Sequence, residues 1–247
     1  MKRLYGEFTR DDWLAAKRLS ADDIPDTLIL HGEDCEASGN IDWWEKSLQG
    51  PCLRPRWNMT LGRYNGRKVG LINTYWAPMT AMVVHQYCAM GTQRIIQIGY
   101  CGGLSHNLKY GQILIVSGAE GDDGVSAKYE PGQTYYPATP SLVERAVEHC
   151  QTSSHDFAVG SVVSTSTMFL ETPSLVEEWS SRGHLGVDGE CAAAFAAARR
   201  FNAETLGLLT CSDHLIEGDT LYNYSEQRTQ LEARAEQRIL ELALKLA

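Results

Sequence analysis

The sequence predicts an α/β fold: a single domain over residues 1–247, with a central mixed β-sheet flanked by helices. Three observations predict it. Short apolar runs alternate with helix-period segments along almost the whole chain. An Asn-Gly dipeptide, Asn65-Gly66, separates two apolar runs and so marks an antiparallel hairpin inside the otherwise alternating pattern. At 247 residues, 43% hydrophobic and 21% charged, the chain is long enough to build one full core without disulfides or a structural metal.

Taken in order, Thr9 to Leu19 predicts a helix, with Thr9 as its cap and acids in its first turn. Thr27 to His31 predicts a short buried strand ending at Gly32. From Glu33 to Arg56 the periodicity is weak and glycine and proline are frequent. We read residues 37–56 as a surface excursion carrying a short helix around Asp42 to Leu48. The hairpin follows, from Met59 to Tyr64 and from Lys68 to Thr74. Pro78 to Met90 predicts a helix, proline suiting a first turn. Arg94 to Ile98 and Gln112 to Ser117 predict apolar strands on either side of a glycine-bearing loop, GYCGGLSHNLKYG. Gly118 to Pro137 is polar and turn-rich, Ser141 to Cys150 predicts a helix, and Phe157 to Thr165 a strand. The terminal segment sets Leu231, Ala235, Ile239, Leu242 and Leu246 on one helical face.

Composition narrows the function. The formal charge is −9 and no basic stripe appears, so no nucleic-acid partner is expected. Seven cysteines, scattered and never in CxxC spacing, predict reduced thiols, and the seven histidines show no paired metal-ligand spacing. No metal is expected. No apolar run approaches the roughly 20 residues that span a bilayer, and the first residues lack a signal-peptide core, so no membrane partner and a cytoplasmic location are expected.

The chemistry concentrates between Leu185 and Asp213, LGVDGECAAAFAAARRFNAETLGLLTCSD. A short strand there delivers Asp188 and Glu190, an alanine-rich helix follows, and a buried strand delivers Ser212 and Asp213. We expect both acids at the carboxyl ends of neighbouring strands of an open sheet, where such folds bind ligands. A carboxyl leaving an apolar run has a raised pKa and suits a proton donor, although a helix cap or loop ion pair explains Asp213 equally simply. Glu190 likewise fits a first-turn acid favoured by the helix dipole. Gly99, Tyr100, Cys101 and Gly102 would bring backbone close to a ligand. Met168-Phe169 would form an apolar wall, or pack in the core.

In their order, GYCGGLSHNLKYGQILIV, GVDGECAAAFAAA and LLTCSDHL resemble the nucleoside phosphorylase and nucleosidase superfamily, from about Thr27 onward. The branch is that of hexameric purine nucleoside phosphorylases, uridine phosphorylases and methylthioadenosine/adenosylhomocysteine nucleosidases. The resemblance implies a nucleoside phosphorylase-like fold and cleavage of an N-glycosidic bond in a small-molecule nucleoside. It implies that Glu190 holds the ribose hydroxyls and that Asp213, in a Ser-Asp pair typical of purine-cleaving members, protonates the leaving base. Met168, Phe169, Asp188 and Gly189 match base- and sugar-lining positions. Gly189 replaces the usual methionine, which implies free space beside the sugar.

The resemblance also bears on what attacks the sugar. Phosphorylases place an Arg four residues beyond Gly32, another at the position of Gln97, and a Thr or Ser at the position of Tyr100. Here the first is Glu36, matching the water-activating glutamate of the nucleosidases. Hydrolysis with Glu36 as general base is therefore favoured, with a solvated loop acid as the plain alternative for Glu36. Phosphorolysis, with phosphate as co-substrate and Arg54 or Arg56 supplied by a neighbouring subunit, is the second reading. A non-catalytic nucleoside binder of the same fold is the third. No cofactor is expected. The resemblance further implies a homodimer or a hexamer; Trp43, Trp44 and Trp57 would contribute to its interface or a lid, or pack in the core.

Overall fold

In the computed structural model the described residues are 3–32, 40–223 and 225–247. Helix α1 (Arg10–Lys17) is capped by the Thr9 hydroxyl, which accepts from the Asp12 amide as its sequence predicts. Strand β1 (Thr27–Gly32) follows, then α2 (Asn40–Ser47) and β2 (Gln49–Arg56). The expected hairpin is present as β3 (Met59–Tyr64) and β4 (Arg67–Thr74), with Asn65 at φ 49° and Gly66 at φ 81°, as its turn requires. Next come α3 (Trp76–Met90), β5 (Arg94–Gly103), β6 (Ile113–Asp122), α4 (Ser126–Tyr129), β7 (Tyr135–Pro137), α5 (Pro140–Thr152) and β8 (Phe157–Thr165). The chain ends with α6 (Pro173–Ser181), β9 (Gly186–Asp188), α7 (Cys191–Arg199), β10 (Glu204–Asp213) and α8 (Glu226–Leu246).

The strands form one mixed sheet, ordered β10-β6-β8-β9-β5-β1-β4-β3-β2, with β7 beside β6. A further pairing of β10 with β5 closes five of these strands, β5, β10, β6, β8 and β9, into a ring. The sheet is therefore not open throughout, and β9 and β10 are not direct neighbours. They flank β5 at the same level: Gly102 of β5 registers with Val187 on one side and Asp213 on the other. The acids still reach one end of the sheet, because β5 carries both strands to it.

The glycine-bearing segment behaves differently from its expectation. Residues 99–103 continue β5 as strand instead of forming a loop. Up to Gly99, β5 runs parallel to β1; beyond it, Gly102 and Gly103 pair with β9 instead. Gly99 takes φ 145°, and a Cβ there would sit 2.8 Å from the Gly32 carbonyl oxygen, so only glycine lets the strand change partners at this point.

Strands covered on both faces need apolar side chains in both directions. Leu28 and Leu30 belong to the core cluster built with α3 and α7, whereas Ile29 belongs to the one built with α2 and α8, and all three are buried. Helix α7 is buried from Cys191 to Ala198; alanine gives it high helix propensity and a slim girth between α3 and the strands. On α8, Ala235, Ile239, Leu242 and Leu246 are buried and Leu231 is partly so, the face that the spacing predicts.

The stretch read as a surface excursion is better integrated than its weak periodicity suggests. Trp44 and Ile41 of α2 are buried in the core, and β2 pairs with β3 at the sheet edge, with two irregularities where glycine and prolines interrupt it. Trp43 is half-buried and Trp57 is exposed. The six described cysteines are free thiols, and no helix among the described residues is long and apolar enough to cross a membrane.

Candidate active site

One cavity of about 470 Å³ lies at the carboxyl ends of β1, β5, β9 and β10. Of the residues proposed from sequence, Gly32, Tyr100, Cys101, Gly102, Met168, Asp188, Gly189, Glu190, Ser212 and Asp213 line it together. Gly99 does not line it and serves the strand crossover described above. Phe169 is corrected too: it is 81% exposed, outside the cavity. Residues 168–170 form a 3₁₀ turn, in which successive side chains diverge by about 120°, so Met168 can face inward only if Phe169 faces out. Glu36 lies outside the described residues.

Asp188 and Glu190 divide their work by their hydrogen bonds. Asp188 accepts from the Ser164 hydroxyl and from the amides of Cys191 (2.8 Å) and Glu190 (3.3 Å). The Ser164 hydroxyl in turn accepts from the Ala192 amide, so these two side chains satisfy the first turn of α7. Glu190 is the N-cap residue of α7, yet its side chain caps nothing; Oε1 accepts from the Trp76 amide at 2.8 Å. Burial, followed by the neighbouring Asp188 charge, pushes the Glu190 carboxyl up to about 8. Asp188, buried as well, is also raised by desolvation, but three donors favour its charged form, so the shared proton belongs on Glu190.

Asp213 stands at the end of β10, just after an irregularity between Cys211 and Asp213 that re-aims its side chain. The Ser212 hydroxyl donates to Asp213 Oδ1 at 2.6 Å and lies 3.3 Å from the Cys101 carbonyl. Burial raises the Asp213 pKa; the Ser212 hydrogen bond and the Arg228 charge offset part of that rise. The environment therefore makes this carboxyl a weaker acid than an exposed one, and the Ser212 hydrogen bond orients it. Arg228, on α8, binds Glu232 at 2.9 Å and Asp219 at 3.1 Å and does not line the cavity.

The structure also shows residues that the sequence reading missed: Tyr75, Trp76, Thr165, Glu171, Val187, Leu215, Leu221 and Glu232. Trp76 matters most. Its φ of 62° is a strained conformation for a bulky side chain, costing on the order of 1–3 kcal/mol. That conformation aims its amide at Glu190. Its ring also removes the free space expected beside Gly189, since a Cβ on Gly189 would lie 2.7 Å from Trp76 Cε3. Two aromatic residues at the carboxyl end of a parallel strand, β4, were the signal available in the sequence.

Gln97 and Tyr100 stand at two of the positions that the resemblance assigns to phosphate binding, and neither is a cation. Gln97 is buried, its amide donating to the Ile98 carbonyl at 3.1 Å, and it does not line the cavity. Tyr100 lines the cavity, its ring 6.4 Å from that of His31. Five of the lining residues are acidic, Glu171, Asp188, Glu190, Asp213 and Glu232, and none of the described lining residues is Lys, Arg or His. Arg54, one candidate for service across an interface, is bound to Asp42 and Glu45 of its own chain.

Comparison with known proteins gives the site its context. A sequence model described as "Phosphorylase superfamily" matches residues 37–246. The purine nucleoside phosphorylase DeoD-type 2 of Vibrio cholerae is 28% identical over 211 residues, covering 84% of this chain and 89% of that protein. The guanosine phosphorylase of Halorubrum lacusprofundi is 26% identical over 159 residues, covering 63% of this chain and 65% of that one. Among solved structures, a uridine phosphorylase from Vibrio fischeri superposes with a TM-score of 0.80 at 20% identity, covering 93% and 94% of the two chains. These relatives are nucleoside-cleaving enzymes by name, and the chain belongs to the phosphorylase superfamily.

Proposed function

We propose that this enzyme cleaves the N-glycosidic bond of a nucleoside with a purine-type base, and that water is the preferred acceptor. The observation that carries the reading is the convergence of Glu190 and Asp213 on one nucleoside-sized cavity. As the bond breaks, positive charge develops on the pentose and negative charge on the base. Glu190, ionised, would grip the sugar hydroxyls and stabilise that cation. Asp213, held by Ser212, would pass its proton to the departing base. Water would then add to the anomeric carbon while Glu36, our proposed general base, takes its proton. The products are the free base and the free sugar. Names such as purine nucleoside and guanosine phosphorylase support a purine-type base.

Hydrolysis is favoured because a phosphate dianion needs several cationic and hydroxyl donors, and none of the described lining residues is Lys, Arg or His. Phosphorolysis stands as the second reading, favoured by the names of those relatives. A homodimer or a hexamer and a cytoplasmic location belong to the same proposal. Free-base release measured in phosphate-free buffer, and again with phosphate, separates the two acceptors. We expect release without phosphate and free sugar as the second product. Strict dependence on phosphate, with a sugar 1-phosphate as product, would remove the water route and Glu36 with it.

A further inference from the structure

Glu171 is a lining carboxyl that the cleavage chemistry above does not use. It follows the 3₁₀ turn of Met168 and immediately precedes Thr172, the N-cap of α6. The simplest explanation for an acid there is service to the helix end. Thr172 already performs it, its hydroxyl accepting from the Leu175 amide at 3.3 Å. Among the described residues no donor is recorded on the Glu171 carboxyl, though it is only partly exposed. Partly exposed along the cavity wall, it is open to donors on a ligand. Met168 and Asp213 line the same cavity. Glu171 follows directly on the Met168 turn, on the side of the cavity assigned to the base. Burial, then the charge of Asp213, raises its carboxyl to about 7.

We infer that Glu171 is a specificity-determining residue that reads the edge of the base, selecting heterocycles that carry an exocyclic amino group; this rests on the nucleoside reading above. The selectivity follows from the ionised form, which offers only acceptors. A carboxylate accepts two parallel N–H donors, such as an amino group beside a ring N–H, and a single one from an amino group alone. Removing the amino group leaves one carboxylate oxygen without the donor it would otherwise accept from. A site built to pair with a polar group rejects the analogue lacking it more strongly than an apolar pocket does. The lack of a lining cation among the described residues points the same way, since every fixed charge in the cavity prefers N–H donors.

Two matched pairs test this: adenosine against purine riboside, and guanosine against inosine, each pair differing by one amino group. We expect wild-type kcat/KM to favour the amino member by about tenfold or more in at least one pair, as loss of one hydrogen bond to a charged group implies. Glu171→Met, which keeps the length but offers no comparable acceptor, should bring that ratio close to one. Glu171→Gln, which keeps a carbonyl oxygen, should retain part of it. Equal rates within both wild-type pairs, or an undiminished ratio in Glu171→Met, would overturn the assignment. The same ratios measured as Kd by calorimetry keep the two proposals apart. Amino-selective binding without cleavage would sink the reaction but leave Glu171 standing, whereas cleavage without selectivity would do the reverse.

Discussion

Asp213→Asn is expected to lower kcat by about 10²–10⁴, the range that a positioned proton donor supplies. The substitution keeps size and shape, and it replaces a carboxyl whose burial opposes ionisation, so the fold should not suffer. The loss should depend on the leaving group. A purine nucleoside methylated at N7 departs as a neutral base without protonation, so the variant should cleave it with little loss while cleavage of the unmodified nucleoside collapses. A structural role for Asp213 would slow both substrates alike, and a non-catalytic binder would show only a change in affinity. Steady-state rates with the two substrates decide among these outcomes.

Glu190→Gln is expected to remove about 10²–10³ from kcat, because it deletes the charge facing the developing cation. Its pH signature is more specific than its size. Glu190 must be ionised to act, and its carboxyl titrates near 8 in the folded protein, so wild-type kcat/KM should rise with pH toward that value; the variant should lack this limb. Stability runs the opposite way. Between its ordinary value of 4.5 and about 8, the folded protein holds a proton that the unfolded chain has released, so stability falls as pH rises through that window. Glutamine has no such term. The Tm advantage of Glu190→Gln over wild type should therefore grow from pH 5 to pH 8, and melting curves at both pH values check it. An advantage that stays constant would mean that burial does not hold the proton on this residue.

Both acids were legible in the sequence because each follows an unambiguous local signal. Asp213 ends the apolar run of β10, and Glu190 precedes an alanine-rich stretch that can hardly be anything but helix. The hairpin was legible because only Asn-Gly and a few related pairs readily accept two positive φ angles. What stayed hidden depends on contacts between distant segments. The glycines of β5 read as a loop, since nothing local reveals that β1 and β9 take turns as partner along one edge. Ring closure by β10 is equally non-local. Edge strand β2 lacks alternation because proline and glycine punctuate it. The left-handed backbone of Trp76 is imposed by its surroundings, and its ring fills the space that Gly189 alone implied. Glu171 sits in a turn without periodicity, so its place becomes visible only once the fold brings it into the cavity that Asp213 also lines.

The central claim is that one cavity holds a pentose against Glu190 and a heterocycle against Asp213. A crystal structure with a purine linked to a cationic iminosugar, which imitates the charged sugar of the transition state, tests it most directly. The account predicts the iminosugar hydroxyls on the Glu190 carboxyl and a ring nitrogen of the base within hydrogen-bond distance of Asp213. A ligand seated elsewhere, or one whose base turns away from Asp213 while its sugar ring faces another group, would contradict it.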